Sequence, residues 1–355
     1  MGLERIEIEA FRCLTRLDLE LDPHYNLILG PNASGKTSLL EALFFLGRGR
    51  GFRGRQLEPL IQTGREEFRI VGHVRVDART TVLGVRGRTG ETEYRVGGAV
   101  ALSAADLAQF FAPAIIDPEL HRLLEDGPHR RRRYLDWGVF HVEPGFLVLW
   151  RRYRQALKQR NTLLRKGADP AQVAAWDPEL AKAGEELSAM RGRYLAALTA
   201  KLLPVGRELL GVDVDLRYSP GWRSSESLAG ALNLTAERDR RAGVTHSGPH
   251  RADILIHVGG QAARHRISRG QQKLLAAALI LAQVELHAGY SPGSTALLLD
   301  DPAAELDQAS LARLLGRVRQ LPVQLFVTAL TAEPRELGAP GRRFHVEHGN
   351  ITRAG

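Results

Sequence analysis

The stretch Asn26-Leu-Ile-Leu-Gly30-Pro-Asn-Ala-Ser-Gly35-Lys36-Thr37 decides the fold of this chain. Residues 26–29 predict a short buried strand, and residues 38–46, Ser-Leu-Leu-Glu-Ala-Leu-Phe-Phe-Leu, predict a helix. The segment between them matches the phosphate-binding pattern G-x-x-x-x-G-K-[ST] without a mismatch. The residues of this phosphate loop are Gly30, Pro31, Asn32, Ala33, Ser34, Gly35, Lys36 and Thr37.

A loop of this kind binds phosphate through its backbone. Its glycines let N–H groups turn toward phosphate oxygens, and the N-terminus of the following helix adds the positive end of its dipole. Lys36 is predicted to reach the β- and γ-phosphates of a nucleotide, and the Thr37 hydroxyl to hold Mg²⁺. The alternative is a Gly-rich turn that matches the motif by chance, and the flanking strand and helix argue against it.

A second apolar strand, Ala296-Leu-Leu-Leu-Asp300-Asp301, ends in two carboxylates. A buried strand would deliver Asp300 to the edge of the sheet, where a carboxylate can hold Mg²⁺ through water. Asp301 would then orient or deprotonate the attacking water, which makes it the predicted catalytic residue together with Lys36. A loop ending in Asp307 follows.

About thirty residues before this strand, Ser268-Arg-Gly270-Gln271-Gln-Lys273 opens an apolar helix. A serine and a glycine at a helix start can form a second phosphate-binding N-terminus. Ser268, Gly270 and Gln271 are therefore predicted to contact nucleotide. Taken alone, the segment fits an ordinary N-capped helix equally well; its distance from the acidic strand favours the functional interpretation.

The order of these parts resembles the ABC-type ATPase heads, and in detail the SMC-related branch that includes the bacterial RecF family. Further segments that resemble RecF motifs are Glu9-Ala-Phe-Arg12, residues 130–137, residues 157–161 and Ser247-Gly-Pro-His-Arg251. Two positions depart from the commoner family forms: Ala33 stands where Gly is frequent, and Pro302 stands where an apolar side chain is usual. Neither departure removes a phosphate or metal ligand.

The resemblance implies an α/β fold: an ABC-type P-loop ATPase head with flanking antiparallel strands and an inserted α-helical lobe. It implies ATP and Mg²⁺ as cofactors and an ATP-dependent homodimer in which the signature of one head closes over the nucleotide of the other. It further implies weak, DNA-dependent ATPase activity, action at single-strand gaps or junctions, recombinase loading with RecR and RecO partners, and support of the SOS response.

Sequence periodicity predicts where the lobe is inserted. Residues 1–118 and 235–355 are assigned to the head, and residues 119–234 to the lobe. Within the lobe, apolar residues recur every three or four positions on both sides of Gly167-Ala-Asp-Pro170, which predicts an antiparallel helical hairpin. The apolar stripes are interpreted as packing rather than as a cofactor site.

Basic residues are concentrated in this lobe, and the whole chain has a formal net charge of +9. Residues 150–166 contain seven Lys or Arg and no acidic residue, although a solvated helix face usually mixes signs. We therefore predict DNA phosphate contacts here and in the preceding Arg run, with an ordinary solvated face as the alternative. The candidate DNA-binding residues are Arg151, Arg154, Lys158, Arg130 and Arg131.

The remaining composition is less specific. The single Cys13 excludes an internal disulfide, and we expect it to be a small buried residue in a reducing compartment. The N-terminus lacks an apolar signal region and no run is long enough to span a bilayer, so a cytoplasmic location is expected. His246 and His250 have helical metal-ligand spacing, but Gly248 and Pro249 break the helix that such a site needs.

Two other functions are also compatible with the phosphate loop. A transporter ATPase subunit would share the phosphate loop, but the last core strand ends in Thr328-Ala329 where transporters usually place a His. A phosphotransferase with a small-molecule acceptor would share the loop too. Such enzymes close a lid of their own, which makes the signature helix unnecessary.

Overall fold

The computed structural model describes residues 2–54, 56–76, 79–263, 267–304, 306–330 and 334–354. The chain forms two compact units, one from Met1–Leu120 with Ala277–Gly355, and one from His121–Ala276. Strands and helices are numbered along the whole chain. The first unit carries the phosphate loop and the acidic strand, and the second carries the signature residues and the basic helix.

An antiparallel sheet of order β2-β1-β4-β5-β6-β7 forms one layer of the first unit. Side chains of its strand β1 (Gly2–Phe11) alternate in burial: Ile6 and Ile8 are buried, Glu7 between them is half-buried and Glu9 is exposed. The strands are β1 (Gly2–Phe11), β2 (Leu14–Glu20), β4 (Glu67–Val76), β5 (Arg79–Arg88), β6 (Glu91–Val96) and β7 (Ala99–Ala101).

The second layer is a sheet of order β15-β14-β3-β13-β12-β8, in which the neighbours from β14 to β8 are parallel. Its central strands are continuous apolar runs because both faces are covered. The strands are β3 (Tyr25–Leu29), β8 (Ala112–Ile116), β12 (Thr295–Leu299), β13 (Gln324–Ala329), β14 (Arg342–Glu347) and β15 (Asn350–Ala354).

Helix α1 (Lys36–Arg48) contacts strands of both sheets and joins them into one core. Phe45 of this helix packs edge-on against Phe68, with ring centroids 5.2 Å apart, and Phe68 packs in the same way against Phe11 at 5.0 Å. The helix ends at Gly49, whose left-handed backbone (φ 62°) is the usual stop signal. The unit also contains α2 (Ala104–Ala108), α10 (Gln308–Arg319) and the greater part of α9 (Arg269–Tyr290).

The second unit is mainly helical, with a small antiparallel sheet of order β11-β10-β9. Helices α5 and α7 form the predicted hairpin, with a short helix, α6, in the turn between them. The elements are α3 (Arg122–Glu125), α4 (Pro128–Val142), α5 (Phe146–Arg165), α6 (Pro170–Ala174), α7 (Asp177–Leu210), β9 (Val214–Ser219), α8 (Leu228–Ala242), β10 (Asp253–Val258) and β11 (Gln261–Ala262).

The fold class predicted from the sequence is confirmed: the chain has a core built on a mainly parallel sheet, flanking antiparallel strands and an inserted helical lobe. The second unit, however, ends at Ala276, about forty residues beyond the expected boundary at residue 234. The reason is strand pairing, because β9 and β10 run antiparallel from Val214↔Val258 to Ser219↔Asp253. This pairing keeps residues 253–258 in the same unit as the helical hairpin.

Candidate nucleotide site and basic surface

The phosphate loop lies where the parallel strands end. The register pairs Leu29 with Ala329 and Leu299 with Val327, so the residues that follow β3 and β12 emerge at one edge of the sheet. Gly30 N–H donates to the Ala329 carbonyl at 3.3 Å. The carboxyl edge of an open parallel sheet is the usual location of ligand sites in α/β folds.

The backbone of the loop has little room for side chains. A Cβ at Gly30 would lie 2.3 Å from the Val346 carbonyl oxygen, so only glycine fits there. Ala33 adopts a left-handed backbone (φ 61°), which explains why glycine is the commoner residue at this position in the family that the motifs resemble. Ser34 Oγ is buried and has no hydrogen-bond partner among the described residues. These features suit a loop whose polar groups face an anion.

Lys36 is buried at the start of α1, and its Nζ donates to the carbonyls of Gly30 at 2.6 Å and Pro31 at 2.8 Å. Burial lowers the pKa of Lys36, while the carboxylates of Asp301 and Asp300 act in the opposite direction. The ammonium group therefore lies close to both the loop and the acidic strand. This position fits a cation that would neutralise bound phosphates.

The predicted magnesium ligands come together in the structure. Thr37 Oγ1 donates to Asp300 Oδ1 at 3.0 Å, although the two residues are 263 positions apart in the chain. A hydroxyl and a carboxylate oxygen at this separation match the oxygen ligands that Mg²⁺ prefers beside a nucleotide. Asp301, the next residue, has a left-handed backbone (φ 45°).

Sequence reasoning missed Thr328, the last-but-one residue of β13. Its side chain is fully buried, and its Oγ1 lies 2.9 Å from Asp300 Oδ1 and 2.9 Å from the Asp301 backbone nitrogen. The available signal was a polar residue directly after the apolar run Leu325-Phe-Val327. That residue was noted only because it differs from the transporter pattern.

The position of Cys13 corrects our expectation of a small buried residue. Cys13 is exposed, in the turn between β1 and β2, and its Sγ lies 3.4 Å from Ser38 Oγ in the first turn of α1. The neighbouring Arg12 pairs with the buried Glu41 of α1 through its Nε. Both contacts connect the β1–β2 turn to the helix that follows the phosphate loop.

The signature residues form a reciprocal cap at the start of α9 in the second unit. Gln271 N–H donates to Ser268 Oγ at 3.3 Å, and Ser268 N–H donates to Gln271 Oε1 at 3.0 Å. Ser268, Gly270 and Gln271 are all exposed. The capping geometry is that of a capping box: it uses the Gln271 N–H, and the Gln272 N–H donates to the Ser268 carbonyl at 2.8 Å.

Two arginines from the basic segments are internal, which the sequence did not reveal. Arg131 is buried and donates from Nε and Nη2 to Asp253 at 2.8 and 2.9 Å, and from Nη1 to the Leu124 carbonyl at 2.9 Å. Arg160 is buried between Asp177 and Asp239 at 2.7 and 2.8 Å. Arg131 therefore stabilises the fold and is not available to DNA, which corrects its assignment as a DNA-binding residue.

The remaining DNA-binding candidates are at the surface. Arg151, Arg154, Lys158 and Arg165 are exposed on one side of α5, and we call them the basic face of α5. Arg154 stacks over the Trp150 ring at 4.6 Å. In the part of the chain that the structure describes, no carboxylate pairs with Arg154 or Lys158. Arg130 is half-buried and pairs with Asp126 at 2.8 Å.

The histidines of residues 245–251 have structural partners. His250 Nδ1 lies 2.7 Å from the Tyr153 hydroxyl and its Nε2 lies 2.9 Å from the Thr245 carbonyl, so the neutral ring donates from Nε2 and accepts at Nδ1. Burial lowers the pKa of His250 to about 4. His246 pairs with Asp239. Among the described residues, no group of three or more His, Cys, Asp or Glu has metal-binding geometry.

None of the described helices combines the length and the apolarity needed to cross a bilayer.

Comparison with known proteins agrees with this geometry. The sequence family described as the RecF/RecN/SMC N terminal domain matches residues 2–345. The DNA replication and repair protein RecF of Xanthomonas euvesicatoria pv. vesicatoria (strain 85-10) is 42% identical, over 99% of this chain and 99% of its own. RecF of Stutzerimonas stutzeri (strain A1501) is 41% identical, over 99% and 97%.

Among solved structures, the recombination mediator protein RecF with ATP, described as part of the RecFOR pathway, superposes with a TM-score of 0.90. It is 27% identical in sequence, and the match covers 100% of this chain and 98% of the other. The likeness thus extends from end to end in both sequence and structure. The chain belongs to the RecF family of DNA replication and repair proteins, within the wider RecF/RecN/SMC N-terminal domain family.

Proposed function

We propose that this protein is an ATP-dependent DNA-binding switch of recombinational repair. ATP pairs two copies of the chain on DNA at single-strand gaps or junctions, and slow hydrolysis releases them. The observation that carries the proposal is the full-length likeness to RecF proteins, joined to a phosphate-loop edge that keeps every expected polar group. A place in replication restart and support of the SOS response are parts of the same proposal.

The nucleotide part of the proposal rests on the phosphate loop, Lys36 and the Thr37–Asp300 pair. ATP with Mg²⁺ supplies, when bound, the phosphoanhydride bond whose hydrolysis resets the switch. Lys36 neutralises the phosphates, Thr37 and Asp300 hold the metal, and Asp301 orients or deprotonates water. The buried Ser34 Oγ and the glycine-only position at Gly30 support a site shaped for phosphate.

The dimer part rests on the exposed cap of α9. Ser268, Gly270 and Gln271 are exposed at the N-terminus of this helix, where the Ser268 hydroxyl accepts from the Gln271 N–H. A helix N-terminus binds anions. We assign these residues to the phosphates held by the second copy, which makes dimerisation depend on ATP.

The DNA part rests on the basic face of α5 and, more weakly, on Arg130. Arg154 and Lys158 are exposed and, among the described residues, no carboxylate pairs with either, which suits contacts with phosphate that are independent of base sequence. RecR-type and RecO-type proteins are proposed as partners, supported by the RecFOR pathway named for the ATP-bound RecF structure. Membership of the RecF family weighs against both a transporter subunit and a small-molecule phosphotransferase.

Analytical ultracentrifugation with and without ATP, and with and without gapped DNA, tests the proposal. We expect ATP to convert monomers into dimers and gapped DNA to stabilise the dimers. Lys36→Met should abolish the ATP effect because it removes the cation that neutralises the phosphates. A wild-type chain that stays monomeric with ATP and DNA, at concentrations where it binds ATP, would contradict the switch.

Two further variants separate dimerisation from hydrolysis. Ser268→Arg should bind ATP as a monomer but fail to dimerise, whereas Ser225→Arg, at an exposed serine in the same unit, should behave like the wild type. Asp301→Asn should bind ATP and form dimers that persist. Loss of ATP binding by monomeric Ser268→Arg would show instead that the serine acts on the nucleotide of its own chain.

A further inference from the structure

Thr328 occupies a position that no motif assigns. It lies at the carboxyl end of β13, between β3 and β12, and it is fully buried. Its register partner on β3 is Ile28, two residues before the phosphate loop. Thr328 is therefore the central residue of the sheet edge from which the loop and the acidic pair emerge.

The hydroxyl of Thr328 contacts both aspartates. The Asp301 N–H donates to Thr328 Oγ1 at 2.9 Å, which uses a lone pair of the hydroxyl. The single hydroxyl proton is then directed to Asp300 Oδ1 at 2.9 Å, since the alternative acceptor, the Leu299 carbonyl, is farther away at 3.4 Å. One side chain thus satisfies a backbone group of one aspartate and a carboxylate oxygen of the other.

The same carboxylate oxygen accepts a second hydroxyl. Thr37 Oγ1 donates to Asp300 Oδ1 at 3.0 Å, so Oδ1 is held from the helix side and from the strand side. Two donors on one oxygen fix the rotamer of Asp300 and leave Oδ2 to other ligands. The side-chain direction of Asp300 is therefore set by both contacts.

The backbone of Asp301 also needs support. Its φ of 45° is in the left-handed region, which is unfavourable for a residue that carries a side chain. Such a conformation persists only where the surroundings fix it. The hydrogen bond from the Asp301 N–H to Thr328 Oγ1 helps to fix this conformation, because it holds the peptide group that precedes Asp301.

We propose that Thr328 is a positioning residue for nucleotide chemistry. Its hydroxyl sets the orientation of the metal-binding Asp300 and the direction of Asp301 together. The proposal rests on the proposed function, since it assumes that Asp300 holds Mg²⁺ and that Asp301 acts on water. Thr328 touches neither metal nor nucleotide in this assignment and acts through the two aspartates.

The test compares Thr328→Val, which keeps the shape and removes the hydroxyl, with Thr328→Ser, which keeps the hydroxyl. The matched control is Thr295→Val, a buried threonine at the other end of β12 whose hydroxyl bonds His287 Nδ1 at 2.6 Å. This control variant removes one buried hydrogen bond at a position in the same sheet, roughly 15 Å along the strand direction from Asp300.

Three quantities are measured for the full-length chain: the Mg²⁺ concentration that gives half-maximal affinity for a fluorescent ATP analogue, and the kcat and KM of hydrolysis. We expect Thr328→Val to raise the Mg²⁺ midpoint about tenfold and to lower kcat by at least as much. Affinity for the nucleotide without Mg²⁺ should stay the same. Thr328→Ser should remain within about threefold of the wild type, as should Thr295→Val.

Several outcomes would overturn the proposal. A wild-type Mg²⁺ midpoint and kcat in Thr328→Val would remove the role of the hydroxyl. Equal damage in Thr328→Ser or in Thr295→Val would show that packing, and not the bridge to the aspartates, is responsible. A wild-type chain that binds nucleotide but does not hydrolyse it would contradict the catalytic part of the proposed function, and the Mg²⁺ midpoints would still decide the role of Thr328.

Discussion

The phosphate-loop edge of the first unit and helix α5 of the second unit both carry polar residues with predicted functions, but the two regions hold them differently. At the sheet edge, Lys36, Thr37 and Asp300 occupy the ends of buried elements, so backbone geometry alone brings them together. On α5, cations occur all around the helix. Arg154 is exposed, whereas Arg160, six residues later, is buried.

The difference teaches that a motif and a charge run carry different kinds of information. In the loop, each position has one role because spacing and backbone conformation define it. In residues 150–166, the same residue type serves two purposes: Arg160 neutralises Asp177 and Asp239 inside the unit, whereas Arg154 faces solvent. Each of the following predictions tests or sharpens this contrast.

The largest effect is expected from Arg160→Met compared with Arg154→Met. Removing Arg160 leaves Asp177 and the fully buried Asp239 without their cation, which should lower the free energy of unfolding of the second unit by about 3–5 kcal/mol. Arg154→Met should change it by about 0.5 kcal/mol or less. All four Trp residues of the chain, at positions 137, 150, 176 and 222, lie in this unit, so tryptophan fluorescence during urea unfolding reports it.

Similar urea midpoints for the two variants would erase the distinction between buried and exposed arginines. Such a result would mean that the aspartates relax or become protonated when Arg160 is lost.

A second prediction concerns pH and His250, which lies in the same buried network. Its pKa is about 4 in the folded protein against about 6.5 when unfolded, so only the unfolded chain binds the proton between these values. The stability that neutral His250 provides is complete above pH ~6.5 and declines as the pH falls toward ~4, by at most about 3 kcal/mol. Below pH ~4 this contribution does not change further.

Urea midpoints measured by tryptophan fluorescence across this pH window check the prediction. His250→Gln should be less stable at neutral pH and should show a smaller decline between pH ~6.5 and ~4 than the wild type. His287 in the first unit also has a pKa lowered to about 4 by burial, but the fluorescence signal does not report that unit. An unchanged pH slope in His250→Gln would assign the titration to another group.

How much of the molecule was predictable depends on how far apart the interacting residues are in the chain. The loop, its helix and the acidic strand were predicted because each is a short continuous pattern with a known context. Arg131 was misassigned because its partner, Asp253, is 122 residues away. Thr328 was missed because only the register of β13 places it beside Asp300.

The domain boundary has the same explanation. Residues 235–252 were assigned to the head because the pairing of β9 with β10, which places them with the lobe, is a long-range property of the fold. Cys13 is exposed because it lies in the turn between β1 and β2. Local patterns thus specified the elements and the site motif, while long-range pairing decided which polar residues are internal.

A third prediction tests the exposed part of α5. Replacing Arg151, Arg154 and Lys158 by Ala should weaken DNA binding for all sequences and flatten the slope of log affinity against log salt by roughly 2.7, since each duplex phosphate contact contributes about 0.9. ATP affinity should not change. Fluorescence anisotropy with labelled gapped DNA over a series of salt concentrations measures the slope.

The matched control removes three exposed arginines of the same unit, each paired with a carboxylate, that lie outside α5. Arg207, Arg217 and Arg241 pair with Asp213, Asp215 and Glu237, so their replacement by Ala changes the net charge equally. We expect a much smaller change of slope in this control. Equal slopes in both triple variants would indicate a general charge effect, and an unchanged slope in both would make the basic face an ordinary solvated surface.

The smallest expected effect lies in the phosphate loop itself, at Ala33. Its φ of 61° favours glycine, so Ala33→Gly should relieve backbone strain of about 1–2 kcal/mol in the folded state. The added freedom of the unfolded chain offsets about 0.4–1 kcal/mol of this gain. The net result should be a first unit more stable by about 0.5 kcal/mol.

Differential scanning calorimetry can measure this change in the transition that added ATP shifts upward, because ligand binding stabilises only the unit that holds the site. Ala309→Gly, at an exposed position in the first turn of α10, is the control; right-handed helical backbone disfavours glycine by up to about 1 kcal/mol. The two exchanges should therefore move the same transition in opposite directions. A lower transition temperature in both variants would mean that the Ala33 backbone is not strained, and that the loop tolerates alanine there for another reason.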